Sequence, residues 1–268
     1  MENEANHPIN PRVFMYFIFD LETVPDVALI RSILDQEPLT ADEWSDEATI
    51  PTQEDLTDKD CIDIAAKRVG RGVSGFLPPM FHKIVSWVGL WVDAKGQPKQ
   101  KEAWSGENEK AGLITLFKEL LTYKDFNLIH HNGKGFDLPV IEYRALKFSL
   151  QMPSRLSHRE IKYRFSANNV DLVDEFSNYG ASAWPKLKYL GMLIDIPFKL
   201  VSEGNVVYEQ YLRGEFKDIE NYCYEDVMAT YIIWLHLEYT RSHIKINEFE
   251  NLKSRALKKL REIQNINK

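Results

Sequence analysis

An α/β fold, a mixed sheet flanked by helices, is predicted by three observations. Strand-like apolar runs crowd residues 13–104, one strand–helix–strand unit follows, and the chain beyond residue 185 has helical periodicity. Residues 13–19 (VFMYFIF) are almost continuously apolar and predict a buried strand with Asp20 at its exit. Residues 83–92 (KIVSWVGLWV) and 101–104 predict two further strands, joined through the turn-forming Asp93, Gly96 and Pro98. Within 107–123, Leu113, Leu116, Phe117, Leu120 and Leu121 recur at helical spacing, and 126–130 reads as a fourth strand. A helix is predicted over 137–148, with Pro139 in the first turn, where a helix tolerates it. Residues 170–176 suit strand and helix equally. Helices follow at 185–193, 206–212 and 217–239, the last carrying Ile219, Cys223, Val227, Tyr231 and Trp234 on one stripe.

Two stretches stand apart from this pattern. Residues 35–82 are punctuated by Pro38, Pro51, Gly70, Gly72, Gly75, Pro78 and Pro79, and read as a partly mobile insertion between the first two strands, with one helix over 57–69 ending at Gly70. Residues 35–63 hold eleven acids against Lys59, a net of −10, and residues 241–268 carry a net of +5. The whole chain is at −7, so −2 remains for everything else. Each extreme reads as solvated surface, the alternative being a tail that meets a polyanion. The expected organisation is one domain over 13–240 with an insertion at about 35–82, then a basic extension over 241–268, helical through Ile244, Leu252, Leu257 and Leu260.

Length and composition narrow the function. A chain of 268 residues with 44% hydrophobic content supports a globular core. Its two cysteines, Cys61 and Cys223, make neither a four-cysteine zinc site nor a disulfide framework, so reduced thiols are expected. The start, MENEANHPINPR, is acidic and polar where a signal peptide is basic and then apolar, and the longest early apolar run, residues 13–19, falls far short of the ~18 residues of a membrane span. A cytoplasmic protein without a membrane partner is expected. No GxxxxGK[ST] loop is present, which argues against a nucleotide-driven motor.

Acids gather where strands and helices end. Asp20 and Glu22 follow the first strand, and alternating residues of an extended chain face one side, so both carboxylates can reach one metal position. The stretch from His130 to Asp137 (HHNGKGFD) runs from a strand through a glycine-rich turn into a helix. Asp137 there is either a simple cap or a ligand, and the turn is open to a close-approaching ligand. In the longest helix Tyr222 and Asp226 are four apart and share a face, while Glu225 is turned away by about 100°.

Asp20-x-Glu22, Asn132-x-x-x-Phe136-Asp137 and Tyr222-x-x-x-Asp226, in that order, resemble the three motifs of the DEDDy 3′–5′ exonucleases. The phrases FDLETVPD, NGKGFDLPVIEYRA and YCYEDVMATYIIW are more closely similar to the stand-alone predicted exonucleases related to the proofreading domain of family B DNA polymerases. The resemblance covers roughly residues 13–240. It implies a ribonuclease H-like fold and phosphodiester hydrolysis with two divalent cations, Mg²⁺ or Mn²⁺, held by Asp20, Glu22, Asp137 and Asp226. In that arrangement one ion activates the attacking water and the other stabilises the leaving 3′ oxygen. By the same resemblance Asp20 bridges both ions, Tyr222 orients the water, and Thr23, Asn132 and Phe136 are positions for contacting the terminal nucleotide. Phe136 serves equally as core. The related branch places a histidine five residues before the last aspartate, where this chain has Asn221.

The implied substrate is single-stranded DNA with a free 3′ end. RNA is the near alternative, and a module that has lost catalysis the more distant one. Asp171 is the reserve ligand should Asp137 prove otherwise employed. His130 and His131 project to opposite faces and lack a second ligand pair for zinc, and Tyr224, Met80, Trp87 and Trp91 read as packing.

Overall fold

The computed structural model describes residues 15–40, 51–71, 76–197 and 206–266; the first two residues of the predicted opening strand and parts of the insertion fall outside them. Five strands form one sheet in the order β3-β2-β1-β4-β5. The central β1 (Met15–Pro25) pairs antiparallel with β2 (His82–Asp93), which pairs antiparallel with β3 (Pro98–Ser105). On its other side β1 runs parallel to β4 (Phe126–His130), and β4 parallel to β5 (Asn169–Asp171). This order with these directions is the ribonuclease H-like arrangement.

β1 does not stop at residue 19. β2 pairs with it all the way to Pro25, with one register shift after Glu22, so the acids lie within the strand rather than past its end. β3 likewise begins at Pro98. The ambiguous stretch splits into β5 and a helix, α7 (Leu172–Ser177), because the Asp171 side chain accepts from Val173 N–H and starts the helix.

The insertion contributes α1 (Val27–Gln36), capped by Asp26, and α2 (Asp58–Arg68), closed at its start by a reciprocal Thr57–Asp60 capping box. α1 straddles the boundary drawn at residue 35. Together they bury Ile30, Leu34, Cys61 and Ile64 against Phe81.

Alternation along β1 divides the molecule. Met15, Phe17, Phe19 and Leu21 pack towards α3 (Glu109–Leu120) and α4 (Asp137–Phe148). Gly89 of β2 is required there, since a Cβ would stand 2.1 Å from the Phe17 ring. Ile18 faces the other layer, α8 (Leu187–Leu193), the long α10 (Phe216–Thr240) and α11 (Ile246–Ile266). Between α4 and β5 lie the one-turn helices α5 (Ser154–Ser157) and α6 (Arg159–Lys162), and α9 (Val206–Leu212) precedes α10. Residues 227–235 of α10 are all buried, and α11 covers them with Phe249, Leu252, Ala256, Leu260 and Ile263. The basic extension is therefore part of the core on its inner face. Trp87 and Trp91 are buried as expected, whereas Met80 is exposed.

α4 is tied to the sheet by buried charge. Arg144, 2% exposed, donates to Asp26 Oδ2 (2.7 Å) and Glu109 Oε2 (2.5 Å), and Glu109 Oε1 accepts from Ile84 N–H of β2 (2.7 Å). Burial works against an ionised Asp26, but Lys147 and Arg144 outweigh it and hold its carboxyl below the usual range. A guanidinium this deep persists only when such partners satisfy it.

Candidate active site

Parallel pairing of β1 with β4 reaches only Ile18 opposite Ile129, and then the strands part. β4 turns away at His130 and α4 begins at Asp137, while β1 continues. A crevice opens at the carboxyl ends of the two parallel strands, where α/β sheets commonly hold ligands. Asp137 reaches back across it, its Oδ1 accepting from Leu21 N–H at 3.2 Å in place of the departed strand.

Asp20 and Glu22 share the β1 face of Ile18 and Val24. Ile18 packs in the α10 layer and Val24 against Ile219 of α10, so both acids face that helix. The Cys223 thiol of α10 donates to Asp20 O (3.3 Å) and lies 3.7 Å from Asp20 Oδ2. One ligand atom each from Asp20, Glu22 and Cys223 falls within 4.8 Å of the others.

The electrostatics tie the remaining residues to this group. Burial, and then the charges of Asp137 and Asp226, raise the Asp20 carboxyl well above its ordinary value. Glu22 is raised by burial, then by Asp20, Asp226 and Asp137. Burial pushes Asp137 up to about 6, and burial with neighbouring Glu225 pushes Asp226 up to about 7. The Tyr222 hydroxyl is raised by burial and then by Asp226, Glu22 and Asp20. Asp137 of α4 and Asp226 of α10 thus both act on the two β1 acids, and Asp226, Glu22 and Asp20 act on Tyr222. No lysine or arginine is among the groups that shift the four acids. The His130 ring eases Asp137 without outweighing its burial, and a set of hard oxygen donors left in this state fits Mg²⁺ or Mn²⁺.

This has a pH consequence. An acid whose folded value lies above its unfolded value near ~4 favours folding fully below that point and loses the contribution as pH rises through the folded value. In chelator, thermal scans from pH 4 to 7 are expected to show Tm falling as Asp137 and Asp226 ionise near 6 and 7. Millimolar Mg²⁺ or Mn²⁺ is expected to remove the fall. A Tm equally pH-dependent with and without cation would show that the acids hold none.

The turn between β4 and α4 is braced from below. Asn132 has φ +64°, and Asp171 accepts from Asn132 N–H (2.7 Å) and Lys134 N–H (3.0 Å). Burial alone would raise the Asp171 carboxyl; the His130 ring and these N–H groups outweigh it and hold it below the ordinary range. Gly133 N–H donates to His130 Nδ1 (3.1 Å), and a Cβ at Gly133 would meet that ring at 2.6 Å. Asp171, the reserve ligand, is thus employed as a brace. His130 meets Asn169 Oδ1 (2.6 Å) and His131 the Pro185 carbonyl (2.9 Å).

The nucleotide-contact candidates divide. A cleft of about 310 Å³ has Asp20, Asn132, Phe136 and Asp137 in its lining, without Thr23. Phe136 is half-buried between the core and the rings of Phe76 and His82, both centred 5.0 Å away. Thr23 Oγ1 lies 3.0 Å from His82 Nδ1, whose Nε2 meets Leu77 O at 3.1 Å. A carbonyl only accepts, so Nε2 carries the ring proton and Nδ1 takes the Thr23 proton. Burial lowers His82 to about 4 and keeps it neutral. The Thr23 oxygen is left as an acceptor.

Tyr224 packs in the α10 layer, and Glu225 accepts from Gln264 Nε2 of α11 (3.4 Å). Sequence reasoning missed His82, Cys223 as a neighbour of Asp20, and Trp184, which lines the cleft. The only signal for Cys223 was its place beside Tyr222, and nothing in the sequence marks the other two.

A family model described as a predicted 3′–5′ exonuclease related to the exonuclease domain of PolB matches residues 74–268. The match contains Asn132, Phe136, Asp137, Tyr222, Asp226 and the basic extension, and begins after Asp20, Glu22 and Thr23. Two solved structures are similar. A product-bound exonuclease I has 16% identity and a TM-score of 0.41, covering 65% of this chain and 42% of its own. A metal-free exonuclease I–ssDNA complex from E. coli has 17% identity and a TM-score of 0.35, covering 65% of this chain and 38% of its own. The chain therefore spans about two fifths of the length of these structures. No curated protein matches it. Among the described residues no helix is long and apolar enough to cross a membrane.

Proposed function

Because the chain belongs to the family of predicted 3′–5′ exonucleases related to the exonuclease domain of PolB, we propose that it hydrolyses phosphodiester bonds at the 3′ ends of single-stranded DNA, with Asp20, Glu22, Asp137 and Asp226 holding two divalent cations. The observation that carries this reading is that Asp137, reaching back to Leu21 N–H, and Asp226 of α10 both act on the two β1 acids, Asp20 and Glu22, in one crevice. When bound, two such ions supply positive charge that stabilises both the attacking and the departing oxygen.

The chain's own residues do the positioning. Asp20 and Glu22 present their carboxylates from one strand face, and Asp137 fixes its distance to that strand through Leu21 N–H. Tyr222 keeps its proton, since burial and four carboxylates disfavour the phenolate. A neutral phenol orients a water by hydrogen bonding and does not act as a strong base. The Thr23 oxygen, with its proton committed to His82, is suited to accept from a terminal 3′-hydroxyl.

The deciding experiment offers 3′- and 5′-labelled DNA and RNA oligomers with and without Mg²⁺ or Mn²⁺. Stepwise shortening from the 3′ end of DNA, only with cation, is expected. Faster shortening of RNA would reassign the substrate, and no shortening would favour a binding module.

Affinity is expected to fall with added salt, as backbone contacts release counterions. Deleting the extension is a poor test, because α11 covers the core. Gln264 Nε2 links its end to Glu225, beside Asp226, and to Pro197 O (2.6 Å), while Lys258 and Arg261 are exposed on its outer face. Lys258→Glu with Arg261→Glu is expected to weaken binding and flatten the salt slope by about 0.7 for each lost single-strand phosphate contact. An unchanged slope would leave the extension without that role.

A further inference from the structure

A second cleft, about 380 Å³, adjoins the one at the acids and shares Asn132, Val173 and Trp184 with it. Its floor includes Leu138, Pro139 and Ile161, and its rim Lys134, Lys162 and Arg164. Trp184 stands at the junction, 62% exposed, with no ring partner among the described residues. The nearby exposed Tyr163 and Phe165, by contrast, are in ring contact with each other, and Phe165 with Tyr179. The segment carrying Trp184 is held firmly. Pro185 restricts the preceding backbone to extended conformations, and its carbonyl meets the His131 ring. Ser182 N–H returns to Ser177 O (2.9 Å).

The rim cations are already paired. Lys134 bonds Asp174 (3.1 Å) and Arg164 O (2.7 Å), Arg164 bonds Tyr179 O (2.9 Å), and Lys162 pairs with Glu142. The second cleft, lined also by Glu142, Asp171 and Asp174, is therefore no strongly positive channel, and the exposed aromatic surface in its lining is the Trp184 indole. Bases stack on such faces without regard to sequence, and a base inside a duplex has its own faces covered.

We propose that Trp184 is a stacking platform for one unpaired base, that of the nucleotide on the 5′ side of the scissile phosphate, with the strand continuing through the second cleft. The proposal rests on the exonuclease reading for the direction of the strand, and it adds a residue that selects single strands by stacking rather than by charge.

The test measures Kd for 5′-fluorescein oligothymidylates of two to six nucleotides in chelator, then kcat and KM in Mn²⁺. Trp184→Ala is expected to weaken binding of every oligomer from the dinucleotide upwards about 5- to 150-fold, the range for one lost base stack. Trp184→Phe should restore most of it. The loss should be similar at low and high salt, should appear in KM rather than kcat, and should vanish for a fully paired blunt end. Binding by Trp184→Ala within twofold of the unsubstituted protein overturns the platform, as does a loss equally large for blunt duplex. Oligomers that bind in a Trp184-dependent way but are cut with neither cation would overturn the exonuclease reading and leave the stacking site standing.

Discussion

Asp137→Ala is expected to lower kcat by about 10³-fold or more, with little recovery at high Mn²⁺. Positive charge at a phosphoryl centre stabilises the transition state by several kcal/mol, and each ~1.4 kcal/mol is tenfold in rate. Losing a carboxylate that holds a cation removes much of that stabilisation. The alanine change also strips Leu21 N–H of its acceptor, so a loss could have a structural cause. Asp137→Asn separates the two, because its amide oxygen still accepts from Leu21 while the charge is gone. Asn132 and Asp171 on the far side of the turn are untouched. The asparagine variant is expected to match the Tm of the unsubstituted protein in chelator below pH 5, where Asp137 is protonated, and to exceed it near pH 7. It should lose the stabilisation by Mg²⁺ and be as inactive as alanine. Activity within tenfold of the unsubstituted protein would remove Asp137 from the ligand set.

Tyr222→Phe is the second large effect, expected at 10²–10⁴-fold in kcat if the hydroxyl orients the attacking water. The side chain is 36% exposed and the ring is retained, so Tm and oligomer binding should stay unchanged. Measurement belongs in single-turnover conditions at saturating cation, where slow product release cannot hide the step. The pH profile should gain no basic limb from Tyr222, since burial and the acids keep it protonated. Undiminished single-turnover kcat would move the water-orienting role to another residue.

What the sequence made legible follows from short-range regularity. The stripe on α10 and the run from β4 through the turn into α4 repeat at periods that fix which side is buried, and the structure has them at those places. Asp20 with Glu22, and Tyr222 with Asp226, are readable because a strand repeats every two residues and a helix about every four. The extension of β1 through Pro25 was hidden because residues 20–25 carry acids and a threonine where a buried strand ordinarily carries apolar side chains. α1 was hidden by its position at the joint between a strand and an acidic stretch, although Asp26, Ile30 and Leu34 cap and bury it. Contacts made through space left no local trace. His82 meets Thr23 across 59 residues of chain, and Cys223 meets Asp20 across 203.

The hydrogen bond from Leu21 to Asp137 spans 116 residues, and with the Cys223 contact it defines the two largest loops that the crevice must close. Loop-closure entropy rises only slowly with length, but contacts of such separation form after local ones, so they come late on any folding route. A chain with its hairpin and α3 in place therefore still lacks two of the four acids. On the proposed reading cation affinity belongs to the completed topology, and its appearance during refolding would time the docking of α10 onto β1 more directly than any spectroscopic signal of helix content.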